Sequence, residues 1–229
     1  MINRRELVRI RKTIESARLR ANRSKTPSVE IVAITKTFLP EAIVSAAEAG
    51  LNHIGENRTQ EAEAKFANLP PLNITKRLVG HLQSNKAKKA VQIFDAIDSI
   101  DSAKIGKRVS RIALEAGRPI PVLLQVNTAR DPQKHGFKIE ETGEMLSLVE
   151  EGGLKIEGLM TIGRLSAGLE GTRDAFKKLR ELKDNLNGQL SPEDELFELS
   201  MGMTSDYEIA VEEGATMVRL GTVLLGERK

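Results

Sequence analysis

The feature that most constrains this chain is a regular alternation of short apolar runs with longer amphipathic stretches. Residues 30–35, Glu-Ile-Val-Ala-Ile-Thr, read as a buried strand. A helix then opens at Pro40, runs through Ala49 and is stopped by Gly50. Residues 53–56 form a second strand, with a helix to about Ala67. Residues 77–80 form a third, with a Lys-rich helix from near Ser84. Residues 96–99 form a fourth, with a helix over 102–116. Residues 121–127 are the clearest strand, apolar on both faces as parallel sheets require, followed by a polar loop (128–136) and a helix ending near Gly152. Residues 156–161, 197–200 and 215–220 complete the set, separated by helices over about 170–186 and 205–213.

Eight strands alternating with helices predict an α/β chain folded as one TIM (β/α)8 barrel. The length of 229 residues is close to the roughly 250 typical of that fold. An open doubly wound sheet is the structural alternative. Residues 1–25 precede the pattern as an added N-terminal helix, with Ile2, Leu7, Ile10, Ile14 and Leu19 on its buried side and a break at Thr26-Pro27-Ser28. Residues 1–229 are accordingly expected to form a single domain.

Composition narrows the function. Aromatic residues make up only 3%, with no Trp and one Tyr, so the core is built from aliphatic residues and base stacking is not expected. The absence of Cys excludes disulfides and thiolate metal sites. His53, His81 and His135 are scattered along the chain, and no metal site is predicted from them. Thirty-five basic residues nearly balance 32 acidic ones. The basic runs at 4–5, 9–12 and 86–89 therefore read as solvated helix faces rather than a nucleic-acid surface. Met1 leads directly into Asn3-Arg4-Arg5-Glu6, which leaves no signal-peptide core, and no apolar run approaches the roughly 20 residues of a membrane span. The expectation is a cytoplasmic protein without a membrane partner.

Barrel chemistry sits at the C-terminal ends of the strands. That places Lys36 after strand 1, Glu56-Asn57 after strand 2, and His81 and Gln83 after strand 3. Asn127, Thr161, Ser200 and Arg219 end strands 5 to 8. Lys36 leaves an apolar strand. Desolvation there lowers an ammonium pKa and frees a nucleophilic amine for carbonyl chemistry, although a rim lysine reaching out to solvent fits the same position. Ser200-Met201-Gly202-Met203-Thr204-Ser205 lies between a strand and a helix start, where backbone N–H groups bind anions. Ser205 or Thr204 would equally serve as an N-cap, with Glu208 at capping-box spacing. Arg219-Leu220-Gly221-Thr222 ends strand 8, and the loops after strands 7 and 8 are the usual barrel phosphate site. A nucleophilic lysine beside a phosphate site suits a cofactor that carries both an aldehyde and a phosphate. Pyridoxal 5'-phosphate (PLP) answers that description.

Seven segments in order, from Val29 to Arg228, resemble the YggS/PROSC family of PLP homeostasis proteins. They are Ala33-Ile34-Thr35-Lys36-Thr37, Gly55-Glu56-Asn57-Arg58-Thr59-Gln60-Glu61 and Gly80-His81-Leu82-Gln83-Ser84-Asn85-Lys86. The others are Lys134-His135-Gly136, Gly158-Leu159-Met160-Thr161-Ile162, Ser200 through Asp206, and Val218-Arg219-Leu220-Gly221-Thr222. The resemblance implies a barrel like the alanine racemase N-terminal domain with PLP on Lys36. It further implies a phosphate held by Ser200, Gly202, Gly221 and Thr222, Arg219 facing the pyridine nitrogen, and Asn57 near the ring. Two positions depart from the family pattern: Arg77 stands where a His is common, and the chain ends Arg228-Lys229 rather than Arg-Asp-Tyr.

An arginine at the ring nitrogen stays protonated and supplies no proton, so the cofactor would be a weak electron sink. A racemase of this fold takes its second base, a Tyr, from a C-terminal β-domain that is not expected here, and Tyr207 reads as packing. The expectation is therefore a monomeric carrier with no catalytic residues, engaged in intracellular vitamin B6 homeostasis, with PLP-dependent apo-enzymes as partners. The alternative is a PLP enzyme of amino-acid racemase type using Lys36 as base.

Overall fold

A computed structural model describes residues 1–23, 28–163 and 168–226. The expected helix stop at Thr26-Pro27 and the terminal Arg228-Lys229 lie outside the described residues.

The eight runs are parallel strands: β1 (Glu30–Ile34), β2 (His53–Glu56), β3 (Thr75–Leu78), β4 (Ala96–Ile100), β5 (Ile120–Gln125), β6 (Leu154–Met160), β7 (Glu198–Ser200) and β8 (Met217–Leu220). They pair in chain order, and β8 returns to β1 with Val32 opposite Arg219, so the barrel is closed. Closure leaves no sheet edge, and the expectation of a TIM barrel rather than an open sheet holds. The outer layer is α2 (Pro40–Glu48), α3 (Thr59–Phe66), α4 (Ala87–Ile93), α5 (Ala103–Glu115), α6 (Thr142–Leu146), α7 (Gly168–Asn187) and α8 (Tyr207–Glu212).

Alternation along β1 divides the core. Ile31 and Ala33 join the large aliphatic shell between strands and helices, while Val32 and Ile34 meet Val79 and Met217 inside the barrel. That inner plug is tight: a Cβ on Gly55 would lie 2.6 Å from Ile34 Cδ1. Toward the N-terminal ends of the strands the interior holds a buried ion pair. Arg77 Nε donates to both oxygens of buried Asp98, at 3.0 and 2.9 Å. Burial pushes the Arg77 guanidinium down, and the Asp98 carboxylate more than offsets it, leaving its pKa raised.

Several boundaries differ from the sequence reading. The third strand starts and ends two residues earlier than expected, and Val79-Gly80 belong to the following loop. The Lys-rich segment opens with a 3-10 turn, Ser84–Lys86, before α4. The N-terminal helix, α1 (Arg4–Arg20), is capped by Asn3, whose side chain accepts from Glu6 N–H. Leu19 is 56% exposed rather than buried, and Ala17 takes its place on the inner side. The helix lies over α8 and the final turn, α9 (Thr222–Leu225), with Asn3 N–H donating to Leu224 O. Part of its basic face is ion-paired: Arg20 reaches Glu212 at 2.8 Å and Glu208 at 3.3 Å. The run at 86–89 behaves similarly in part, with Lys89 Nζ 2.6 Å from Glu63.

Candidate cofactor site

Barrel closure brings the residues predicted for the cofactor onto one arc of the mouth. Ser200 ends β7 and Gly202 follows it, Arg219 lies in β8 and Gly221 follows it, Lys36 follows β1, and Asn57 follows β2, so four neighbouring strands carry them all. Thr222, exposed, opens α9 beside Gly221.

Lys36 is half-buried at a turn that other residues hold in place. Thr35 N–H donates to Gly55 O, and Phe38 N–H closes back onto Thr35 O. Thr37 has φ +68°, a left-handed conformation unusual for a β-branched residue. Its N–H is bonded to the Glu61 carboxylate, which fixes the strained turn. Behind it, Lys65 Nζ donates to Thr35 O at 2.7 Å and lies 2.8 Å from both Glu56 and Glu61. Thr35 Oγ1 donates to Glu56 at 2.7 Å. Burial holds the Glu56 carboxyl above its ordinary range despite Lys65 and Thr35. Burial also pushes Glu61 up, but Lys65 and the Thr37 N–H outweigh it and leave Glu61 below the ordinary value. Sequence reading placed Glu61 in the second family-like segment without giving it a role, and passed over Lys65. The only signal for their role was their i, i+4 spacing on α3, one helical face.

Arg219 is the most unusual group at the mouth. Its guanidinium is buried, with Nη1 donating to Ser200 O (2.7 Å) and Ser200 Oγ (2.8 Å), and Nη2 to Thr161 O (2.7 Å). Among the described residues no carboxylate pairs with it directly. Burial pulls its pKa down to about 10, against the more distant pull of Asp98 and Asp206, so it remains a cation at neutral pH. Ser200 Oγ, accepting from Arg219, keeps its own O–H to donate. Asp206 lies behind, accepting from Met203 N–H, and burial raises its pKa. The expected Ser205 or Thr204 cap is not formed. Asp206 occupies the N-cap position of α8, and Glu208 turns outward to Arg20.

Two glycines let backbone approach this arc. Gly202 has φ +92°, and a Cβ there would lie 2.5 Å from Ala210 Cβ. A Cβ on Gly221 would sit 3.3 Å from Ile34 O and fill the space beside β1. A cradle that side chains would close, a buried cation with no carboxylate partner among the described residues and a lysine after the adjacent strand suit a ligand with an anionic group and an electrophilic carbonyl. The residues present fit PLP.

The other residues at the strand ends are arranged differently. Asn127 closes its own loop, donating to Asp131 O and accepting from Asp131 N–H. Thr161 Oγ1 donates to Val126 O and lies 3.0 Å from Thr128 Oγ1. Lys134 Nζ donates to Gly163 O at 2.7 Å. Beside Asn57, a cavity of about 660 Å³ opens between the β2 and β3 loops, lined by Arg58, Gln60, His81, Gln83 and Lys86. The reading of the histidines as scattered needs correction. His81 and His135 stack with centroids 3.8 Å apart, because the loops after β3 and β5 converge.

The barrel is that of the alanine racemase N-terminal class, and the sequence pattern described as "Alanine racemase, N-terminal domain" matches residues 10–229. Alanine racemase of Clostridium difficile shares the fold at 14% identity and TM-score 0.69, with 93% of this chain covering 56% of that one. Within that class, the chain belongs to the family of pyridoxal phosphate homeostasis proteins. The member from Aquifex aeolicus is 36% identical over 224 residues, 97% of each chain. The structure of PipY from Synechococcus elongatus, solved with PLP bound, is 42% identical with TM-score 0.80, covering 93% of this chain and all of PipY.

Proposed function

We propose that this protein binds PLP at the β7–β8–β1–β2 arc, carries it on Lys36 as a Schiff base, and serves PLP homeostasis in the cytoplasm rather than catalysing turnover. The observation that carries this reading is Arg219, a buried cation with no carboxylate partner among the described residues, one strand away from a turn-held lysine. Bound PLP supplies an aldehyde for the amine and, in enzymes, an electron sink. Lys36 provides that amine. The backbone at Gly202 and Gly221, with Ser200 and Thr222, receives the phosphate. Arg219 faces the ring nitrogen as a donor that keeps its proton, and Asn57 borders the ring.

The same residues argue for a carrier. A guanidinium does not protonate the ring nitrogen, so carbanion chemistry gains little. Tyr207, the sole tyrosine, is partly buried and packs against the main hydrophobic core. Among the described residues no helix is long and apolar enough to cross a membrane. Large exposed apolar side chains such as Val8, Leu39, Leu114 and Phe197 lie on separate elements, in keeping with a monomer.

The test is to mix PLP-loaded protein with a PLP-dependent apo-enzyme and follow recovery of that enzyme's activity, while assaying the loaded protein alone for amino-acid racemisation. Recovery without racemisation supports the carrier. Sustained racemisation that is lost in Lys36→Ala establishes the enzyme alternative.

A further inference from the structure

We propose that His81, Asp101 and His135 form a binding site for one divalent transition-metal ion of the Zn²⁺ class, on the β3–β5 side of the barrel mouth. The three residues follow three successive strands: His81 after β3, Asp101 directly after β4, and His135 in the loop after β5. Their candidate ligand atoms lie within 4.8 Å of one another. Asp101 Oδ2 is 2.9 Å from His81 Nδ1 and 3.9 Å from His135 Nδ1. Tetrahedral ligands at 2.0–2.1 Å from zinc stand about 3.3 Å apart, so these two distances bracket the required spacing. The two rings stand stacked, so coordination requires the imidazole of His135, whose side chain is 60% exposed, to turn out of the stack.

The surroundings support the three ligands. Ser102 Oγ donates to Asp101 Oδ1 at 3.3 Å, which leaves Oδ2 toward the imidazoles. The His135 backbone is fixed, since Gln125 Nε2 donates to its carbonyl at 2.8 Å. Gly136 follows at φ +132°, where a Cβ would meet Asn127 N at 2.8 Å. The open mouth leaves water for the fourth position. Two imidazoles and one carboxylate favour Zn²⁺, Co²⁺, Ni²⁺ or Cu²⁺ over Mg²⁺ and Ca²⁺, which prefer oxygen ligands throughout. A bound ion would tie the loop that carries Lys134 to the ends of β3 and β4. The inference is independent of the cofactor assignment, because none of the three residues belongs to the Lys36 arc.

The experiment is calorimetric titration of tag-free, chelator-stripped full-length protein with Zn²⁺, with and without saturating PLP, and a parallel Co²⁺ titration read by its visible absorption. The expected result is one ion per chain in both cofactor states. His81→Ala and His135→Asn should each weaken binding at least about tenfold, since even outer-shell partners are worth roughly 10–100-fold. The circular dichroism of both exposed-site variants should match that of the parent. No binding, or binding unchanged when both histidines are replaced, overturns the proposal, as does binding seen only when PLP is present.

Discussion

Two arginines project into this barrel, and they are set up in opposite ways. Arg77, in the N-terminal half, holds both oxygens of Asp98 and is neutralised within the barrel. Arg219, at the mouth, bonds among the described residues only carbonyl and hydroxyl oxygens and keeps its charge without a direct carboxylate. A buried ion pair with its bonds made is a structural closure, because removing either partner strands the other. A buried cation bonded only to neutral dipoles retains a demand for an anion or an electron-rich ligand. Residue type does not separate the two roles, but the partner does.

The largest effect is expected at the closed end. Arg77→Met should lower stability by about 3–5 kcal/mol, read by urea unfolding, because Asp98 is left charged and buried. Replacing Asp98 with Leu in the same chain should recover much of that loss. If the single variant is as stable as the parent, the closed end is not held as described.

Gly202→Ala comes next, at about 1–3 kcal/mol from a left-handed backbone and the Ala210 contact, together with weaker PLP binding. Arg219→Met should behave unlike Arg77→Met. Stability should change by about 1 kcal/mol or less, since no carboxylate is stranded and Ser200 O still accepts from Thr161 N–H. PLP affinity should fall about tenfold or more, the worth of a hydrogen bond to a charged group. Equal stability losses in the two arginine variants would erase the contrast between them.

The smallest effect is at the Lys36 turn. Glu61→Gln should cost at most about 1 kcal/mol and slow PLP uptake as the Thr37 turn loosens. The Glu61 pKa is depressed in the fold, so its contribution is present above the ordinary glutamate value of 4.5 and lost as pH falls through the lower folded value. Uptake rates of parent and Glu61→Gln should converge in that acidic window. Rates that stay apart there would remove Glu61 from the turn.

The barrel was legible in the chain because strands buried on both faces, such as β1 and β5, read as short apolar runs, as 122–124 does. Lys36, Ser200, Arg219 and Gly221 were legible because strand ends can be read once strands are counted. What escaped depends on contacts between distant segments. The convergence of His81 and His135 requires knowing how two loops fold back. The Glu61–Lys65 support of Thr37 joins α3 to a turn 24 residues away. Leu19 was misplaced because helix spacing alone does not reveal that α8 and α9 cover the opposite side.

The most direct test of the central claim is borohydride reduction of the PLP-loaded protein followed by peptide mapping. The expected result is a single pyridoxyl adduct on Lys36, absent in Lys36→Ala. An adduct on Lys65 or Lys134 in place of Lys36, or a protein left unlabelled with saturating PLP, would contradict it.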